Sequence, residues 1–174
     1  MNNNNETLSS ALEVIDEFNK DTSVMLKILK GILISEYGYE DISGSVVCRE
    51  NSASLDSAVR WTPPYLSFSL RKEEEYISIT ITIKEYWNHF KPKKEFLVYG
   101  VKFHGVIEPH KSLFWLGKDT VESPDENYKK TVNVGYIEVV NPYHFGSCKF
   151  IKKNLWDMKD KQAVEDFAEQ VDSL

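Results

Sequence analysis

The run from Tyr76 to Glu85 constrains this chain more than any other segment. Ile77, Ile79, Ile81 and Ile83 alternate with Ser78, Thr80, Thr82 and Lys84. Side chains of a strand point to opposite faces with a period of two, whereas a helix would scatter these isoleucines around its axis. The alternation predicts an antiparallel strand with one face packed and the other, carrying the hydroxyls, in contact with water. A second possibility for the hydroxyl face is a cupped sheet surface that holds a ligand.

One amphipathic strand needs neighbours, and the flanking segments supply them. Tyr65 to Leu70 alternates, with Leu66, Phe68 and Leu70 in phase, and the charged stretch 71–75 reads as a hairpin connection. Phe96 to His104 places Leu97, Tyr99, Val101 and Phe103 on one side. Further strands are expected over 44–50, 113–117, 131–140 and 147–152, separated by polar segments and by Asn141-Pro142.

The ends of the chain have a helical period. Leu8, Leu12, Ile15 and Phe18 form one stripe, and Asp21, Thr22 or Ser23 can cap a second helix rich in apolar residues from Val24 to Leu33. Gly38 is a plausible stop for that helix. Near the other end, Asp157 or Asp160 can cap a helix whose Val164, Phe167, Ala168 and Val171 make an i, i+3, i+4, i+7 stripe. Helices, then successive strands, then a helix is an α+β order. The expected fold is α+β, a mainly antiparallel sheet of about six to seven strands with two N-terminal helices and one C-terminal helix. Residues 1–6, with four consecutive asparagines, read as a flexible polar tail, and 7–174 as a single domain.

Charge narrows the choice of partner. The 174 residues carry a net charge of −6, and arginine occurs only at Arg49, Arg60 and Arg71. Nucleic-acid binding rests on neutralising phosphates, and arginine is the bidentate reader of phosphate and guanine, so such binding is disfavoured. A preference for lysine over arginine fits a low-GC bacterium or its phage. The start of the chain has neither a basic nor an apolar export region, and the apolar stretch 24–34 is too short to span a bilayer. With only Cys48 and Cys148, the chain reads as cytoplasmic with reduced thiols.

No phosphate loop, dinucleotide fingerprint, nucleophile elbow, Cys-x-x-Cys or His-Glu-x-x-His occurs. His104, Glu108 and His110 offer imidazoles and a carboxylate near a strand end, a first shell for Zn²⁺, although their spacing matches no standard metal signature. They support an alternative reading as a small-molecule-pocket or metal-dependent enzyme. Cys148, near His144, is in phase with Phe150 and reads as a buried thiol rather than a nucleophile. No catalytic residue, metal or cofactor is assigned.

Aromatics clustered with proline in predicted loops are the main functional clue. Trp61 precedes Pro63 and Pro64; Tyr86, Trp87, His89 and Phe90 precede Pro92; Tyr143, His144 and Phe145 follow Pro142. Large rings in loops either cap the sheet or meet a partner. These eight aromatic and imidazole side chains predict a non-catalytic protein-binding domain, an adaptor, inhibitor or immunity-type partner of a bacterial or phage system. A minor alternative uses Trp87 and Phe90 with Lys91, Lys93 and Lys94 as a single-strand nucleic-acid platform.

Overall fold

The computed structural model describes residues 2–43, 65–84, 92–104, 129–141 and 145–174. Strands β1 (Glu40–Asp41), β2 (Tyr65–Lys72), β3 (Glu75–Lys84), β4 (Pro92–His104), β5 (Lys129–Val132), β6 (Ile137–Asn141) and β7 (Phe145–Asn154) form one sheet. Their order is β1-β2-β3-β4-β7-β6-β5, and every pairing is antiparallel. Five strands have five residues or more, and the short β1 and β5 lie at the two edges. Helix α1 (Asn2–Ser35) precedes the sheet; a 3-10 turn (Leu155–Asp157) and helix α2 (Lys161–Asp172) follow it. The α+β class with an antiparallel sheet is therefore as expected.

Register explains why the isoleucine strand is central. Ile77, Ile79 and Ile81 stand opposite Leu70, Phe68 and Leu66 of β2, and opposite Lys102, Gly100 and Val98 of β4. This first face is covered by both helices, and one buried cluster joins Leu26, Leu29 and Leu33 of α1, the isoleucines, and Val164, Phe167, Ala168 and Val171 of α2. The predicted stripe of the last helix is thus its buried face, and Asp160 is its N-cap, accepting from Ala163 N at 2.9 Å. Gly100 sits beneath α2, and a methyl group there would lie 2.3 Å from Val171 Cγ2. Absence of a side chain at this strand position lets the helix approach the sheet.

Four expectations change. The two N-terminal helices are one continuous helix, because Asp21-Thr22-Ser23 contains neither glycine nor proline and Thr22 is buried within the stripe. Helix α1 begins at Asn2, inside the stretch read as a tail. The stretch 131–140 is a hairpin rather than one strand: Asn133 N donates to Tyr136 O at 2.9 Å, and Gly135 takes φ +86° at the turn. Finally, the hydroxyl face of β3 is not wet. Ser78, Thr80 and Thr82 are 0, 2 and 2% exposed. On the same face Tyr99, Val101, Phe103, Cys148 and Phe150 form a second buried cluster. The sheet is buried on both sides, and a polar-apolar alternation cannot distinguish a hydroxyl that faces water from one that is enclosed. The strands expected over 44–50 and 113–117 lie outside the described residues.

Candidate functional site

The expected contact residues Trp61, Tyr86, Trp87, His89, Phe90, Tyr143 and His144 lie outside the described residues; Phe145 opens β7 through its backbone. Of the metal candidates, His104 ends β4, and Glu108 and His110 lie outside. Among the described residues no three His, Cys, Asp or Glu side chains are grouped to hold a metal ion. Cys148 is fully buried, as its phase with Phe150 implied.

His104 shares the helix-covered face with Lys102 and, across the register, with Ser147 and Lys149 of β7. Its Nε2 is enclosed and has no hydrogen-bond partner among the described residues. Burial holds its pKa below the ordinary histidine value, with Glu75 and Glu138 pulling upward and Lys102 and Lys149 pulling down. Lys102 itself is buried. Its ammonium donates to the Asp172 carbonyl at 2.9 Å and pairs with Glu75 at 2.9 Å. It thereby satisfies an orphan carbonyl in the last turn of α2 and puts positive charge at the negative end of that helix. This polar group is a structural clamp between helix and sheet.

Beside it, Tyr39 is buried with its ring beneath Lys72 Nζ, 5.4 Å from the centroid. Desolvation, with the nearby Asp172 carboxylate, raises the pKa of its hydroxyl strongly. Lys30 pairs with Asp41 at 2.6 Å. Desolvation of Asp41 is outweighed by that contact and by hydrogen bonds from Ser43, and its pKa falls below the usual value. These interactions tie α1 and β1 to the sheet.

A different surface stands out. At 1.5 Å per residue the 34-residue α1 is about 51 Å long. Only from Phe18 onward does its stripe enter the core: Thr22, Met25, Leu26, Leu29, Ile32 and Leu33 are buried, and Phe18 packs on Phe96 with ring centroids 5.3 Å apart. Ahead of Phe18, the described side chains are exposed except Ile15, which is half-buried. Alongside runs a groove of about 590 Å³, with α1 as one wall and Leu155, Trp156, Met158 and Val164 in the other. Four large apolar side chains lining it face solvent: Val14 (65% exposed), Val24 (48%), Ile28 (42%) and Trp156 (63%). Val24 and Ile28 are neighbours one turn apart on α1, and Val14 is set off from them by Glu17 and Asp21.

Sequence reading missed this surface. Val24 and Ile28 belong to the apolar run 24–33, and period alone does not say which side chains of that run the domain covers. Trp156 has no partner in a sequence pattern, since the 3-10 turn that holds it is fixed by Asn154, whose side chain accepts from Trp156 N at 3.1 Å. Among the described residues no helix is long and apolar enough to cross a membrane. Comparison of the chain with protein-family models, curated proteins and solved structures finds no match.

Proposed function

We propose that this chain is a non-catalytic protein-binding domain, an adaptor, inhibitor or immunity-type partner, that engages another protein through the groove between α1 and Trp156. The observation that carries the reading is the set of four exposed apolar side chains converging on one groove. Trp and flanking aliphatic side chains give binding area at low entropic cost, the usual make-up of an interface centre. The aromatic segments at Trp61, Tyr86 to Phe90 and Tyr143 to Phe145 form a second proposed contact region. A cytoplasmic, bacterial or phage setting goes with this proposal, supported by the lysine-rich composition and the two cysteines in 174 residues.

The test is co-purification from the source organism of the tagged wild type, Val24→Glu and Trp87→Ala. Val24 is exposed, and such surface changes alter stability by no more than about 0.5 kcal/mol. A protein recovered at fixed stoichiometry with the wild type and lost with Val24→Glu, at an unchanged melting temperature, supports the groove. Loss with Trp87→Ala adds the aromatic segment. Equal recovery of all proteins with every variant contradicts the proposal.

A further inference from the structure

Helix α1 carries two seams. The inner one, Phe18, Thr22, Met25, Leu29 and Ile32, advances by alternate steps of four and three and packs in the core. About 80° round the helix, at roughly 100° per residue, lies a second set with the same alternation: Val14, Glu17, Asp21, Val24 and Ile28. All five line the groove. Gly31 continues this set, and a methyl group built there would meet nothing within 4 Å. The outer seam spans about 21 Å along the axis, a length suited to one partner helix.

Resting on the protein-binding reading, we infer that the occupant of this groove is an amphipathic helix laid along α1, with apolar anchors at both ends of the contact and basic residues at its centre. The apolar ends would meet Val14 on one side and Val24 and Ile28 on the other; the 3-4 spacing is the spacing by which helices interlock. The centre is set by charge. Glu17 and Asp21 sit between the apolar positions on α1, and the charged residues that line the groove are Glu17, Asp21 and Asp160 against Lys159 and Lys161, a balance of −1.

Of the polar residues on the opposite wall, Asp160 is engaged as the cap of α2 and Lys161 pairs with Glu165 at 2.8 Å; Lys159 completes the rim. A second copy of the chain fits less well. A two-fold arrangement of outer seams would set Glu17 and Asp21 against the same pair, and like charges facing each other select against the pairing.

The probes are two synthetic helical peptides of about three heptads. They share one leucine stripe and differ only at two central flanking positions, Lys in one and Glu in the other. Titration followed by fluorescence anisotropy should show wild type binding the Lys peptide about tenfold or more tightly than the Glu peptide, and less tightly as salt rises. Glu17→Lys with Asp21→Lys should reverse that preference. Ile28→Glu should weaken Lys-peptide binding although it adds negative charge, which separates groove docking from diffuse attraction; circular dichroism and the melting temperature confirm that each variant is folded.

Binding of neither peptide, equal binding of both, tighter Lys-peptide binding by Ile28→Glu, or a preference that Glu17→Lys/Asp21→Lys does not reverse overturns the inference. A concentration-dependent dimer that Val24→Glu dissociates overturns it in favour of a second copy. If neither peptide binds but a host protein still depends on Val24, the helix inference fails while the protein-binding function stands.

Discussion

Gly100→Ala probes the seat of α2 on the sheet. The new methyl would lie 2.3 Å from Val171 Cγ2, about 1.1 Å short of ordinary contact, and 3.3 Å from Phe167 Cζ. Val171 and Phe167 are fully buried, and Ala168 beside them is too, so the helix must lift or a rotamer must leave its well. Overpacking of this kind costs about 1–3 kcal/mol. Restricting the unfolded chain by replacing glycine returns about 0.4–1 kcal/mol. The expected net loss is about 1–2 kcal/mol in urea denaturation, with an unchanged m-value.

Val171→Ala alone removes two methyl groups from the core and should cost about 2 kcal/mol. Combining the two places the new methyl where the valine branch was. The double variant should therefore be more stable than the sum of the single losses by about 1 kcal/mol or more. A neutral Gly100→Ala, or strict additivity in the cycle, would refute the packing of α2 over β4.

Two other outcomes are expected. Thr80 Oγ1 is enclosed without a hydrogen-bond partner among the described residues, so Thr80→Val should raise stability by about 1–3 kcal/mol in the same assay; a loss would show that the hydroxyl is paired. For His104, a folded pKa held low by burial means that the native state binds fewer protons than the unfolded chain. Its contribution is complete above the unfolded value of about 6.5 and falls as pH drops from there towards the folded pKa. His104→Gln should flatten that part of the stability profile measured by thermal unfolding, and an unchanged slope would count against it.

The legible parts of the fold are those in which one period serves one buried face. The isoleucines of β3 and the Val164 to Val171 stripe of α2 each bury what their spacing predicts, and Asp160 caps where a capping residue precedes an apolar run. The misread parts are those in which a local pattern has two physical outcomes. Asp21-Thr22-Ser23 is a good cap sequence and also an acceptable helix interior, and packing of Thr22 in the core decides between them. Thr80 and Thr82 suit either a wet or an enclosed strand face, and the second aromatic cluster resolves that choice. Thr131 to Val140 has enough β-branched residues for one strand, but Gly135 at positive φ folds it into two. The groove was hidden for a related reason: Trp156 lies more than 120 positions from Val24 and Ile28 in sequence, and only the tertiary fold brings them together.

In the proposed function, α1 reaches past the core it covers to present the groove between Val14, Val24, Ile28 and Trp156 to another protein. Amide hydrogen exchange along α1, in the free chain and in the complex isolated from the source organism, tests it most directly. In the free chain, amides of residues 6–17 should exchange far faster than those of 22–33, whose side chains are anchored in the core. In the complex, protection should spread to 14–28 along the outer seam. Slow exchange of 6–17 in the free monomer, or a bound state that leaves the outer seam as unprotected as before, would rule out docking of a partner along α1.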